Sequence, residues 1–431
     1  MLGIIVLLVI RVPVAYAFGI GSLAMIYFYG MDTGWVMIST ISLLTSFPLL
    51  AIPLYILLGL LMETSGLVTR IIDFTNVVIG RLKGGLGYVI IFGNGIFGAI
   101  SGSAGAALVT FGTIAFPRMR QQGYTEGYSV ALIASSAMLS LFIPPSMDMI
   151  MFGFMARLNI AACFLATVGP GILLMILYSV ISFFMTRNMP LVELPKQPFK
   201  ETMKDIWLQG RRAFFVVIVI PLIILGGIYG GVFTPTEAAG AAVVVAIVIA
   251  TLVHRSLTMK GMGKAMREAA YLTGMIMAVL FFMFVFGRLL LWQNIVQSMI
   301  IFFSTVSKSI AVQLLMLNIL LFIVGMLMDD NSACILSGIL LVPVMSQLGV
   351  NPYHLAGIVM ANLGLGLLTP PVAPLLYAAS GVTGVPLKRY FRYSLFFMLF
   401  ANLPVIILVT YVPEIATYLP NLVFDTGLGL W

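Results

Sequence analysis

Apolar runs of about 20 residues or more recur along almost the whole chain, each long enough for a helix to cross the roughly 30 Å hydrocarbon core of a bilayer. Only short polar segments separate them. The pattern predicts an all-α, polytopic membrane protein. The predicted spans lie near residues 2–29, 35–62, 127–156, 161–186, 213–233, 236–253, 270–292, 353–380 and 393–412.

Two further apolar regions, 86–117 and 312–347, are each interrupted near the middle by a polar cluster. The clusters read AISGSAGAA and GMLMDDNSACILSG. A polar cluster with apolar residues on both sides indicates a re-entrant helical hairpin that dips into the membrane. We therefore predict two such hairpins, with the polar clusters at their tips.

The two halves of the chain share a spacing of prolines and glycines. The matching positions are Pro117 and Pro343, Gly123 and Gly349, and the pairs Pro144–Pro145 and Pro370–Pro371, all 226 residues apart. Ser103 and Asp329, which belong to the polar clusters, each precede the first proline of their set by 14 residues. This agreement predicts an internal repeat in which each half carries a hairpin and a helix broken by a proline pair.

The only sustained polar stretch lies within residues 188–212 and divides the chain near its midpoint. We therefore expect a first repeat at 1–187, a polar linker and connecting helix at 188–235, a second repeat at 236–412 and a C-terminal tail at 413–431. The first repeat would contain the hairpin 86–117 and the broken helix 127–156. The second would contain the hairpin 312–347 and the broken helix 353–380.

Composition supports the membrane assignment, because 61% of the residues are hydrophobic and only 8% are charged, against roughly 45–50% and 25% in soluble domains. The net charge of +8 would suggest a nucleic-acid partner in a soluble protein. Here the basic residues fall in short connections between spans, where they indicate orientation instead. We expect no nucleic-acid partner.

Charge around the hairpins predicts that the repeats are inverted. The first hairpin is flanked by the basic segments GRLKGG and PRMRQQG, and the second by the nearly uncharged STVSKSIA and SQLGVNPYH. Because cytoplasmic connections are enriched in Lys and Arg, the first hairpin should enter from the cytoplasmic face and the second from the opposite face. Inverted repeats with discontinuous helices are typical of secondary transporters, whose substrate and ion sites lie near the midplane.

The proline pairs have a chemical consequence, because proline removes amide donors and leaves carbonyl oxygens unpaired. In lipid such carbonyls are costly unless they are satisfied, and a small hard cation would satisfy them. The tip Ser101–Ser103 is expected to meet the break Pro144–Ser146, and the tip Asp329–Ser332 to meet Thr369–Pro371. Helix N-termini after each break carry partial positive charge that suits an anionic substrate.

Simpler interpretations remain open for several of these residues. A proline pair can be a structural kink, the small residues of SGSAGA can form a close-packing helix face, and Asp329 and Asp330 can be solvated at a membrane surface. Asp148 and Arg288 can form a structural pair or line a cavity, and the sequence does not separate these two possibilities.

The segments GGIYGGVFTPTEAAGAAVVVA, SGSAGAALVTFGTIAFPRM, IPPS, GMLMDDNSA and LGLGLLTPPVAPLLYAAS resemble the large membrane subunit of tripartite ATP-independent periplasmic (TRAP) transporters, DctM-like proteins of the ion transporter superfamily. The resemblance extends over essentially the whole chain. It implies an elevator-type transporter, with scaffold and transport domains, in which a sodium gradient drives uptake. It also implies two partners, a small four-helix membrane subunit and a periplasmic substrate-binding protein that delivers an organic acid.

Carried onto this chain, the resemblance implies at least two bound Na⁺ and no other metal. The sodium ligands would be Ser101, Gly102, Ser103, Pro144, Pro145 and Ser146 at one site, and Asp329, Asn331, Ser332, Gly366, Thr369 and Pro370 at the other. Substrate contacts are expected at Ser103, Ser146, Asp148, Asp330, Asn331 and Pro371. Many family members have an apolar residue or proline where this chain has Asp148.

The expected function is import of an organic acid across a bacterial inner membrane, not enzymatic catalysis. Sialic acid, C4-dicarboxylates and related acids would all suit such a site. Other possibilities are a non-TRAP carboxylate transporter of the same superfamily, and a channel or structural subunit of a membrane complex. An ATP-driven pump lacks support because no G-x-x-x-x-G-K-[ST] phosphate loop occurs, and a metal-dependent intramembrane protease because no H-E-x-x-H occurs.

Overall fold

The fold is helical throughout the part of the chain that the computed structural model describes, which comprises residues 2–10, 12–30, 33–192 and 199–424. Within these residues, six helices are long and apolar enough to cross a membrane, and the number rises to eight if each of two bent helix pairs is counted as one span. The six are Phe47–Thr64, Ile160–Thr186, Pro235–Val253, Met259–Trp292, Ile310–Leu327 and Leu387–Tyr411. The prediction of an all-α, multi-pass membrane protein is confirmed.

Two predicted spans are not continuous helices. The region 2–29 forms the helices Leu2–Val9 and Val14–Tyr29, and the region 35–62 is divided between Thr33–Leu44 and Ala51–Thr64 by a short helical turn, Phe47–Leu50. Proline explains both interruptions, since Pro13 is the N-cap of the second helix and Pro48 lies in the first turn after the other break. Proline lacks an N–H and disfavours helical geometry in the preceding residue.

Each predicted hairpin region is a pair of helices joined by a tight turn. The first hairpin consists of Gly85–Ser101 and Ala104–Gln121. The second consists of Ile310–Leu327 and a second arm that begins at Asp330 and ends at Gln347, with a π-helical turn at Ser337–Leu341 ahead of Pro343. The helix-to-helix turns fall on the polar clusters, as the sequence predicts.

Each broken helix is interrupted at its proline pair. The first comprises Glu126–Ala137, the short Leu139–Phe142 and then Met147–Ala156, with a bend of 42° across the break. The second comprises Pro352–Gly366 and Pro374–Thr383. The peptide bonds Pro144–Pro145 and Pro370–Pro371 are both cis.

Two segments expected to lie outside the helical core are helices packed against it. Within the polar linker, Phe199–Phe214 packs on Leu67–Ile79, and the Arg81 guanidinium lies 3.0 Å from the Asp205 carboxylate. Within the expected tail, Glu414–Phe424 packs on Ile160–Thr186. Residues 193–198 and 425–431, which complete the predicted linker and tail, lie outside the described residues.

Candidate functional site

The first hairpin tip lies directly against the first helix break. Gly102 has φ +57°, and a Cβ at this position would lie 2.2 Å from the Pro145 carbonyl oxygen and 3.3 Å from the Ser146 Cα. Glycine is required here for two reasons, since it adopts the left-handed conformation without strain and leaves room for the neighbouring backbone. The structure therefore brings together Ser101–Ser103 and Pro145–Ser146.

Three serine hydroxyls surround this contact, and one of them has no protein partner. Ser103 and Ser146 are N-caps that accept long hydrogen bonds from the Ala106 and Met149 amides, at 3.4 and 3.5 Å. The Ser101 hydroxyl is buried and makes no hydrogen bond to any described residue. Because a buried polar atom without a partner is destabilising, Ser101 is the hydroxyl in this set best suited to a bound ion.

The second hairpin contacts the second broken helix in a related way. A Cβ on Gly366 would lie 2.5 Å from the Gly325 carbonyl, so the two backbones are in close contact before the tip is reached. At the tip, Asp329 and Pro371 line one cavity of about 280 Å³. The structure therefore places the tip beside the break, although Gly366 contacts Gly325 in the hairpin helix and not the tip itself.

The polar groups of the second tip are partly engaged with one another. The Asp329 carboxylate accepts hydrogen bonds from the Ser332 amide and hydroxyl, at 3.1 and 2.7 Å, and the Asn331 side chain donates to Asp330 at 3.1 Å. The Thr369 hydroxyl donates to the Leu365 carbonyl at 2.8 Å, which leaves its oxygen lone pairs available. Carboxylate, hydroxyl and carbonyl oxygens suit a hard cation.

Asp148 joins the two halves of the site. It lies in the first turn of Met147–Ala156, a helix that packs against Asp330–Leu336, and it is only 1% exposed. Its carboxylate interacts electrostatically with Asp330 and Asp329, and one of its oxygens has no hydrogen-bond partner among the described residues. Three like charges thus share one buried region, which favours a cation and opposes an anion until the charge is neutralised.

These three carboxylates are a charged cluster but not a metal centre of their own. Among the described residues, no group of three or more His, Cys, Asp or Glu side chains is arranged to hold a metal ion. The sequence did not associate Asp148 with Asp330, because the residues are distant in the chain and only the packing of the two helices brings them together.

Four helices begin at the tips and breaks. They are Ala104–Gln121, Met147–Ala156, Pro374–Thr383 and the helical segment that starts at Asp330. The N-caps Ser103, Ser146 and Asp329 accept from backbone amides, whereas Ala373, at the start of the fourth, has no side-chain cap. Helix N-termini carry partial positive charge that stabilises anions. The region thus combines oxygen ligands for cations with helix ends suited to a carboxylate.

Comparison with known proteins places this architecture in a family. Residues 1–415 match the family described as "Tripartite ATP-independent periplasmic transporter, DctM component". The chain is 33% identical to the C4-dicarboxylate TRAP transporter large permease protein DctM of Pseudomonas aeruginosa, over 87% of this chain and 86% of that protein. It is 32% identical to the sialic acid TRAP transporter large permease protein SiaM of Vibrio cholerae, over 89% and 88% of the two chains.

Solved structures share the fold at low sequence identity. The Alcanivorax borkumensis YdaH transporter matches with a TM-score of 0.59 at 14% identity, covering 90% of both chains. Neisseria gonorrhoeae MtrF matches with a TM-score of 0.57, also at 14% identity, covering 87% of this chain and 83% of MtrF.

The match to the DctM family covers nearly the whole chain, and the relatives align over most of their length. This excludes the alternative of a carboxylate transporter outside the TRAP group. The family is a class of transporter permease and not a class of enzyme, and its tripartite systems contain a small membrane subunit and a periplasmic binding protein as partners. The chain is therefore a member of the DctM family, the large membrane permease component of a tripartite ATP-independent periplasmic transporter.

Proposed function

We propose that this permease uses a sodium gradient to import an organic acid delivered by a periplasmic binding protein, by an elevator movement in a bacterial inner membrane. The observation that carries the proposal is the seating of two hairpin tips beside two helix breaks, at Gly102 and Pro145 and at Asp329 and Pro371. Interrupted helices at such places provide oxygen ligands and helix termini without exposing backbone to lipid.

We further propose that residues 1–187 and 236–412 are inverted repeats. Equivalent positions 226 residues apart make equivalent local contacts, which supports this proposal. Ser103 and Asp329 each cap a hairpin helix by accepting from the amide three residues later. Ser136 and Asn362, on the broken helices, each hydrogen-bond an asparagine of the adjacent hairpin, Asn94 at 2.8 Å and Asn318 at 2.6 Å respectively.

The proposed sodium sites lie where each tip meets its break. At the first, Ser101 and Ser103 and the break Pro144–Ser146 would supply oxygens. At the second, the ligands would come from the tip Asp329–Ser332 and from Gly366, Thr369 and Pro370. Cations bound there would reduce the repulsion among Asp148, Asp329 and Asp330 and so make the region acceptable to a carboxylate. Sodium would therefore bind before the substrate.

In this mechanism the hairpins and broken helices move together as the transport domain, while the remaining spans and the small four-helix subunit form the scaffold. The periplasmic binding protein releases the acid to the outward-facing site. The relatives named above carry either C4-dicarboxylate or sialic acid in their names, and these two substrate classes both remain candidates.

Uptake should depend on sodium and on membrane potential. Import of one monocarboxylate with two Na⁺ moves one positive charge inward, and a charge moved through 100 mV is worth about 2.3 kcal/mol. That energy corresponds to about a fiftyfold change in the equilibrium accumulation ratio. The measurement is uptake of labelled acids by proteoliposomes that contain the permease, its small subunit and the binding protein.

An inside-negative potential and an inward sodium gradient should each increase accumulation in these proteoliposomes. Uptake of every tested acid that is indifferent to both would contradict sodium-coupled import. Flux that only equilibrates the acid, without accumulation, would instead favour a channel.

The inverted arrangement predicts that the ends of the two hairpins lie on opposite faces. Gln121→Cys and Gln347→Cys suit this test because both residues are exposed and end the second arm of their hairpins, 226 residues apart. The native Cys163 and Cys334 are buried and should react little. A membrane-impermeant maleimide should label only one variant in right-side-out vesicles and only the other in inverted vesicles. Labelling of both variants from one face would rule out inverted repeats.

A further inference from the structure

A second cavity lies apart from the tips and breaks, and its volume of about 650 Å³ is within the usual range for small-molecule sites. We call it the arginine cavity. It is enclosed by the helices Thr33–Leu44, Met147–Ala156 and Met259–Trp292 and by the second arm of the second hairpin. Its lining includes Arg157, Arg288, Phe154, Phe284, Trp292 and Ile339.

The charged side chains in this lining are of one sign. Arg157 and Arg288 are the charged residues among the described residues that line the cavity, and the rest of the lining is apolar or aromatic. Arg157 ends the helix that begins beside Asp148, and Arg288 lies one turn before the end of a 34-residue helix. Two guanidinium groups in an apolar cavity favour an anion, since arginine binds carboxylates in a bidentate manner.

The apolar part of the lining is organised along one helix face. Phe284, Arg288 and Trp292 are spaced by four residues and therefore lie on the same side of Met259–Trp292. Across the cavity, the Phe154 ring is 6.5 Å from the Phe284 ring. An anion bound by the arginines would thus have its remaining surface against aromatic rings and aliphatic side chains.

The cavity is aligned with the proposed transport site along one helix. Asp148 and Met155 are seven residues apart on Met147–Ala156, which corresponds to about 10 Å. Gly338 packs tightly between the two regions, since a Cβ there would lie 2.8 Å from the Met155 Cβ and 2.9 Å from the Phe152 carbonyl oxygen. The arginines therefore attract an anion close to a region that repels it until cations bind.

We propose that the arginine cavity is an entry site for the transported acid, and that it selects carboxylates with a substantial apolar body over compact dicarboxylates and polyhydroxylated acids. This inference rests on the proposed transport function. Under the proposed orientation, the cavity lies on the periplasmic side, where the positive-inside rule does not account for arginine. Occupation of the cavity should not need sodium, whereas onward movement should.

Binding can be measured without transport, because Trp292 lies in the cavity and is one of only four tryptophans. The probe is 4-bromophenylacetate, whose bromine quenches tryptophan fluorescence on contact. It is titrated into the complete permease complex in phosphatidylcholine nanodiscs, with and without sodium. We expect saturable quenching in both conditions, little effect from the neutral 4-bromophenylacetamide, and weak competition by succinate.

The variants assign the quenching to the cavity. Trp292→Phe should remove the saturable component, and Trp207→Phe, which alters an exposed residue of the linker helix, should retain it. Arg157→Gln with Arg288→Gln should raise the half-saturating probe concentration by at least about tenfold. Lys308→Gln, which removes an exposed cation outside the cavity lining, should leave that concentration unchanged. If Arg288→Gln does not fold, Arg157→Gln alone and Arg288→Lys serve as substitutes.

Several results would overturn the proposal. Equal quenching by the neutral amide would do so, as would quenching unaffected by either arginine substitution. Quenching by brominated phosphatidylglycerol but not by 4-bromophenylacetate would assign the cavity to a lipid headgroup. Sodium-driven uptake measured in the same preparations separates the two levels, since uptake with arginine-insensitive quenching rejects the entry site and leaves the proposed function standing.

Discussion

Gly102→Ala should abolish most of the sodium-driven uptake, because it acts on the contact between the first tip and the first break. A Cβ at this position would lie 2.2 Å from the Pro145 carbonyl oxygen, so the tip and the break would have to separate by about 1 Å. The left-handed backbone at Gly102 adds roughly 1–2 kcal/mol for any residue with a Cβ. A displacement of this size at a ligand site should reduce uptake at least about tenfold.

Gly384→Ala is the matched control for this change. Gly384 also has a positive φ, +71°, but a Cβ there would meet no atom within 4 Å. It therefore shares the backbone strain without the collision. If the two variants lose uptake equally at matched amounts of folded, inserted protein, backbone strain alone explains the defect and the tip does not need to contact the break.

Sodium titration should show the second large effect, in Asp329→Asn. Asparagine caps a helix about as well as aspartate and keeps one oxygen ligand, so the variant should fold while losing the attraction of a full charge for the ion. We expect the sodium concentration for half-maximal uptake to rise by about tenfold, which corresponds to 1.4 kcal/mol. Ser101→Ala and Thr369→Ala should raise it by a smaller amount, since each removes one neutral oxygen.

The choice of serine follows from the structure. Ser103 caps Ala104–Gln121, so its replacement by alanine would also weaken that helix, by about 1 kcal/mol. Ser101 has no such role. Ser135→Ala is the control, because it removes another buried hydroxyl without a partner among the described residues, from Glu126–Ala137 and away from the break. Unchanged sodium dependence in Asp329→Asn, Ser101→Ala and Thr369→Ala together would show that the ions are wrongly placed.

Local sequence rules predicted the hairpin turns and the helix breaks well, because these features depend on residues close together in the chain. Polar clusters within apolar runs located both tips, and the proline pairs located both breaks. The same rules were applied too weakly at Pro13 and Pro48, where hydropathy suggested continuous spans. Hydropathy also gave no indication that Phe199–Phe214 and Glu414–Phe424 would be helices packed against other spans.

Apolar periodicity, proline and glycine positions and the spacing of the two halves are properties of the sequence by itself, and they determined the membrane class, the hairpins and the breaks. Tertiary structure decided which distant groups share an environment. Packing of Met147–Ala156 on Asp330–Leu336 brings Asp148 to the second tip, the absence of side chains at Gly325 and Gly366 lets two backbones touch, and Arg288 lines a cavity with Arg157. The physical reason is that such contacts depend on how helices far apart in the chain fit together, and local residue preferences do not encode that fit.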